Sequence, residues 1–315
     1  MADNQIEQLA AFSHQAAPGA PSGSFVDLVM RARQDLPANL PADPHELMVA
    51  LDIDGTIVQV DGTLSPRMMR AFRALREAGV TVVIASGRGL RGMEALCVMA
   101  CEPGDYMVCA NGALTMRVDS VAPLQLTEVS RHEFNPREAL LALNEVLTEG
   151  ELAVEVAGKY SKVTAPFGPG EMTGEQIICP LEEMLDEPVI RVMARRPKVN
   201  TDGLEQIAED LGLHWVTYTV GPISLLDMAP KGVNKGTALE ELRVRLGLPE
   251  RGTFAFGDGW NDVQMLQWAS CGVAMGDAPQ GVVDQAEVRA GTVADDGVPA
   301  WVQAILGRYG LDTLK

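Results

Sequence analysis

Residues 48–56 read Met48-Val49-Ala50-Leu51-Asp52-Ile53-Asp54-Gly55-Thr56. An apolar run of this kind suits a strand buried on both faces of a parallel sheet. It stops on two carboxylates one residue apart. Close carboxylates repel, and charge taken out of water is costly. A divalent metal, phosphate chemistry or both would account for the pair. The same arrangement recurs twice. Residues 80–85 (Val-Thr-Val-Val-Ile-Ala) end at Ser86-Gly87-Arg88, and residues 253–256 end at Gly257-Asp258-Gly259. Ligands of open α/β sheets bind at the carboxyl ends of strands, where all three polar clusters fall.

Helical patterns fill the intervals. Met68, Met69, Phe72 and Leu75 recur at helical spacing over 66–78, and Gly79 stops the run. Ala238, Leu239, Leu242 and Leu246 share one face over 235–246, and a further helix is expected over 262–269. Alternating strands and helices predict an α/β protein with a doubly wound parallel-sheet core. The stretch between has another texture. Strands are expected at 114–118, 152–156, 189–194 and 215–220, and helices at 136–147 and 202–211. None of these strands ends in a cluster of catalytic type. The expected organisation is a mobile N-terminal tail over 1–45, with a short helix near 25–33, a core over 46–112 and 221–315, and a second α/β domain over 113–220 inserted into it.

Bulk composition narrows the function. The 315 residues are 47% hydrophobic with a net charge of −18. The acidity argues against nucleic acid as a partner, which a basic surface would serve. No apolar run approaches a membrane span, and no signal peptide is evident, so the expectation is a cytoplasmic protein with no membrane partner. Five cysteines without a CxxC pair suggest reduced thiols, and the four scattered histidines make no zinc signature.

Other chemistries fit these motifs less well. An EF-hand loop from Asp52 requires Gly at its sixth position and Glu at its twelfth, but those are Ile57 and Thr63. Gly87-x-Gly89-x-x-Gly92 follows a strand as in dinucleotide-binding proteins. The next strand ends at Asn111-Gly112 without the acidic residue that would hold a ribose. A Gly-rich turn opening a helix is still suited to phosphate. Gly257-Asp258-Gly259-x-Asn261-Asp262 adds two carboxylates and an amide. With Asp52 and the Asp54 carbonyl, Asp258 would complete an oxygen-rich magnesium site. Lys235 begins a helix, where a cation opposes the helix dipole unless an anion lies beside it.

These pieces, in this order, resemble the haloacid dehalogenase superfamily of phosphohydrolases, most closely the Cof-type sugar-phosphatase subfamily with its large α/β cap (class IIB). Asn111-Gly112-Ala113 and Val273-Ala274-Met275-Gly276 are supporting matches. Ser86 stands where Thr is common, which keeps the hydroxyl. Asp277 stands where Asn is common, which adds a charge. The resemblance implies a magnesium-dependent phosphatase acting on a small phosphorylated metabolite, with a sugar phosphate as the leading substrate class. It implies that Asp52 attacks phosphorus and that Asp54 serves as acid and then base. Ser86, Gly87, Arg88, Lys235 and Asn261 would hold phosphate or substrate. Asp52, Asp54 and Asp258 would bind Mg2+, with Asp262 in support. A phosphomutase on the same core and a catalytically silent phosphate-binding module stay open as rivals. Lys159, Arg191, Arg195 and His214 are the cap residues considered for leaving-group recognition.

Overall fold

The computed structural model describes residues 17–59, 61–147, 150–168, 171–197, 210–211, 214–220 and 223–311. The chain divides into two compact units. One comprises Met1–Ala85, Asp105–Met107 and Lys235–Lys315; the other comprises Ser86–Gly104 and Val108–Asn234.

The first unit is built on a parallel sheet in the order Val288–Arg289, Cys271–Ala274, Thr253–Gly257, Met48–Leu51, Thr81–Ala85. Met48–Leu51 lies inside it, between Thr253–Gly257 and Thr81–Ala85, and is wholly buried, as its continuous apolar run requires. Leu51 pairs with Phe256, and the Asp52 N–H donates to the Phe256 carbonyl at 3.0 Å. The register therefore releases the chain after Leu51 and after Gly257 at the same end of the sheet. This brings Asp52 and Asp258 out side by side from positions two hundred residues apart.

Helix Pro66–Glu77 forms where the sequence predicts it. Ser65 caps it by accepting from the Met68 N–H, proline occupies the first turn, and Gly79 continues the chain at φ +76°. Its buried face is Met68, Ala71, Phe72, Ala74 and Leu75. Met69 is displaced from the expected stripe and faces solvent. Burial of Phe72 alone contributes about 1.5–3 kcal/mol.

The segment read as a tail carries a helix over Phe25–Asp35, longer than the short one expected. Ser24 and Asp27 form a capping box. Leu28 and Val29 pack on Ala300 of the largely apolar, buried helix Gly297–Gly307, and the Arg67 guanidinium lies 4.5 Å over the Phe25 ring. Residues 1–16 of that segment lie outside the described residues.

The second unit holds a six-stranded sheet in the order His214–Val220, Ile223–Ala229, Arg191–Pro197, Glu151–Val156, Tyr160–Val163, Gln176–Ile178. Its neighbours are antiparallel except for the last pair. Helix Arg137–Val146 covers one face with Ala139, Leu140 and Leu143 against Leu152, Val154 and Val192. A hairpin of Leu114–Val121 and Leu124–Arg131 completes the strands. The helix expected over 202–211 falls almost entirely outside the described residues. No described helix is long and apolar enough to cross a membrane.

Candidate active site

Asp52 leaves the central strand 6% exposed. The turn behind it is drawn tight, because the Ile53 carbonyl accepts from the N–H groups of Thr56, Ile57 and Val58. This turn requires glycine at position 55 for two reasons. Gly55 has φ +78°, and a Cβ there would stand 2.3 Å from Asp258 Oδ2. Gly62 has a similar φ of +82° with nothing within 4 Å of its would-be Cβ. Gly55→Ala is therefore expected to destabilise the fold by at least about 1 kcal/mol more than Gly62→Ala. Denaturant midpoints measure this, and equal losses in the two variants would remove the close approach.

Lys235, the first residue of helix Lys235–Leu246, is 0% exposed. Its Nζ donates to Asp52 Oδ1 and to Asp262 Oδ1, each at 2.6 Å. Two anions thus offset the unfavourable place of a cation at a helix start. The other oxygen of Asp262 accepts from the N–H groups of Asp258 and Gly259, at 2.9 and 2.8 Å. Asp262 thus ties the lysine to the loop that presents Asp258. Thr56 Oγ1 donates to Asp258 Oδ1 at 3.4 Å.

Charge in this place is unbalanced. Carboxylate oxygens of Asp52, Asp258 and Asp262 come within 4.8 Å of one another, against one ammonium. Burial first, then the Asp262 carboxylate, pushes the Asp52 carboxyl up to about 7, against the lowering effect of Lys235. Burial and the charges of Asp52 and Asp262 likewise hold Asp258 well above its ordinary value. Burial pulls Lys235 down, but Asp262 and Asp52 outweigh it and raise it overall. A surplus of buried carboxylate oxygen fits a hard divalent cation. Both Asp262 oxygens are engaged by N–H donors, so Asp52 and Asp258 are the side chains placed to ligate.

Of the other residues singled out in the sequence, Asp54 follows in the same turn with an exposed side chain, and Asn261 lies half-buried in the 3-10 turn Trp260–Asp262. Asp277 accepts from the Val293 N–H at 3.0 Å, which commits its extra charge to a loop contact. Ser86, Gly87 and Arg88 belong to the second unit. Ser86 is buried, its N–H donates to the Val108 carbonyl at 2.8 Å, and its Oγ accepts from the Arg88 N–H at 3.1 Å. The Arg88 side chain is exposed.

The cap residues considered for the leaving group resolve differently. Lys159 is exposed on a turn, and only the backbone of His214 is described. Arg195 bonds Glu151 and Glu171 and stacks 4.6 Å over Phe167, an arrangement that holds the sheet face together. Arg191 is buried against Glu155 and Asp227. Those two carboxylates escaped the sequence reading. The available signal was a single acid inside an apolar strand, Val154-Glu155-Val156 and Leu226-Asp227-Met228.

A family model of haloacid dehalogenase-like hydrolases matches residues 49–302, and the chain belongs to this family. The 5-amino-6-(5-phospho-D-ribitylamino)uracil phosphatase YitU of Bacillus subtilis (strain 168) is 25% identical over 270 residues, which cover 81% of this chain and 96% of that one. The pyridoxal phosphate phosphatase YbhA of Escherichia coli (strain K12) is 27% identical over 278 residues, 82% of this chain and 98% of the relative. The solved structure of the HAD subclass IIB sugar phosphatase BT4131 shares the fold, with a TM-score of 0.66 at 19% identity over 84% of this chain and 99% of that one. The resemblance read from the motifs thus holds, and the chain is a hydrolase of the phosphatase class within this family.

Proposed function

We propose that the protein hydrolyses the phosphate monoester of a small metabolite, a sugar phosphate first among them, through an aspartyl phosphate on Asp52 with Mg2+ as the metal. The observation that carries this reading is the buried Asp52 carboxylate. It is fixed at a strand end by Lys235, and its oxygens come within 4.8 Å of those of Asp258 and Asp262.

An Asp52 oxygen attacks phosphorus while the ester P–O bond breaks, and Asp54 gives its proton to the leaving oxygen. Asp54, now a carboxylate, takes a proton from the water that attacks phosphorus. The bond from Asp52 to phosphorus breaks, which releases inorganic phosphate and restores both aspartates. Lys235, the Ser86 hydroxyl and the Gly87 N–H hold the transferring phosphoryl oxygens, and Arg88 and Asn261 contact phosphate or substrate. Asp262 keeps Lys235 and the Asp258 loop in place. Magnesium would be held by Asp52, the Asp54 carbonyl and Asp258, and would supply charge neutralisation for nucleophile and phosphoryl oxygens. The inserted segment 113–220 serves as the cap that excludes water and selects the leaving group, in a cytoplasmic enzyme.

The test is phosphate release from an aryl phosphate and a panel of sugar phosphates, pyridoxal phosphate, flavin mononucleotide and nucleotides. Release is expected with added magnesium and should fall by about 100-fold or more after chelation. No release from folded protein under either condition would sink the reading. Transfer of phosphate back to a sugar, and not to water, would turn it into a mutase.

A further inference from the structure

Within the second unit, three successive carbonyls of the Ser86 loop are each held by a different donor. The Ser86 carbonyl accepts from the Asn111 N–H at 3.0 Å and the Arg88 carbonyl from the Ala110 N–H at 2.8 Å. The Gly87 carbonyl between them accepts from a charged side chain, Arg191 Nη1, at 3.0 Å. The other end of that same planar peptide is the Arg88 N–H, which donates to Ser86 Oγ at 3.1 Å.

Resting on the phosphatase reading, we propose that Arg191 is a positioning residue for the Ser86 hydroxyl, acting through the peptide between Gly87 and Arg88. With Arg191 on the carbonyl, the peptide plane is fixed and its N–H is polarised toward Ser86 Oγ. The hydroxyl oxygen is then already an acceptor, so its own proton is directed elsewhere, to an anionic oxygen.

The surroundings of Arg191 suit this task better than they suit adhesion. Its Nε donates to Glu155 Oε2 at 2.7 Å, and Nη1 lies 3.4 Å from Asp227 Oδ2. Arg191 and Asp227 are 4% and 3% exposed. Two carboxylates on one guanidinium leave a surplus negative charge, and Asp227 Oδ1 has no hydrogen-bond partner among the described residues. An apolar cluster of the same volume would hold the sheet as well or better. Burial keeps the Asp227 carboxyl above its ordinary value, against the opposing effect of Arg191.

The same carboxylate also secures the turn behind the loop. Asp227 Oδ2 accepts from Asn111 Nδ2 at 3.2 Å. Ala110 and Asn111 have φ of +49° and +52°, a left-handed pair that persists only where its surroundings hold it. Glu155 presses from the other side so closely that a Cβ on Gly89 would stand 2.4 Å from its Oε2. Glu155, Arg191 and Asp227 come from three adjacent strands; Glu155 and Arg191 meet the 86–89 loop, and Asp227 meets the turn behind it.

The experiment is a double-mutant cycle between Arg191→Lys and Ser86→Ala. Lysine keeps the charge beside Glu155 but lacks the second arm that reaches Gly87. Arg191→Lys is expected to lower kcat on an aryl phosphate by about tenfold or more, with KM changed less than about threefold. In the Ser86→Ala background it should cost less than about twofold further. Full, additive losses would overturn the proposal. Amide hydrogen exchange at residues 87–89 should accelerate about tenfold or more in Arg191→Lys, and unchanged exchange would also overturn it. That measurement does not need turnover. If wild-type protein releases no phosphate, the phosphatase reading falls while the exchange rates still decide the role of Arg191. Should Arg191→Lys fail to fold, Asp227→Asn takes its place, with faster exchange at the same amides and the same non-additivity expected.

Discussion

Asp52→Asn is expected to reduce phosphate release to background, a loss of about 10⁴-fold or more, in a protein that still folds. The amide has the shape of the carboxylate but no anionic oxygen to bond phosphorus, so the first chemical step has no nucleophile. Survival of the fold follows from the charge balance of the place. Burial, Asp262 and Asp54 all oppose ionisation of Asp52, and only Lys235 favours it. In the variant Lys235 keeps its 2.6 Å bond to Asp262, so its buried ammonium stays paired. Two carboxylates then face one ammonium in place of three. Melting in the absence of metal should therefore stay within a few degrees of wild type. Phosphate release and thermal unfolding on the same preparation check both halves. Appreciable turnover by the variant would remove Asp52 from the nucleophile role. Dead, unfolded protein would instead make Asp52 a structural residue.

The parts of the site that the sequence exposes are those set by chain direction. Asp52 and Asp258 end apolar strands that are buried on both faces, and a parallel sheet sends such ends to one side. Lys235 was legible because a cation at a helix start needs an anion, and the structure supplies two. What depends on strand pairing was not legible. Arg191 reads as a free polar residue until the register sets it opposite Glu155 and one strand from Asp227, 36 residues away in each direction along the chain. In the sequence it stands only as one of four residues considered for the leaving group. Some strands of the second unit escaped for a related reason. Leu124–Arg131 is largely half-exposed, and Gln176–Ile178 is a three-residue edge, so neither offers a buried run. The helix Phe25–Asp35 was legible over 25–33 despite the Ala, Pro, Gly and Ser around it. Its local signal, Ser24 with Asp27 three residues on, was present in the sequence.

Lys235→Met is expected to have the largest effect on stability of any single change in the site, a loss of about 3–5 kcal/mol. The side chain is 0% exposed and answers two carboxylates at 2.6 Å each. Methionine fills the volume but removes the ammonium that Asp52 and Asp262 bond, so the buried carboxylates there are left to protonate or to stand unpaired. For a protein whose total stability is about 5–15 kcal/mol, that is between about a fifth and the whole of it. Denaturant unfolding in a chelator should show the midpoint fall. Added magnesium should recover part of the loss, because a divalent cation at Asp52 and Asp258 meets the same surplus charge from the other side. Lys235→Arg should not restore the fold, since a guanidinium is wider than the ammonium and the residue has no solvent-facing margin. Lys231, four residues earlier and exposed, is the control, and Lys231→Met should leave the midpoint where it was. A Lys235→Met protein as stable as wild type in chelator would mean that the three carboxylates are not jointly ionised there. The charge argument for a cation between them would fall with that result.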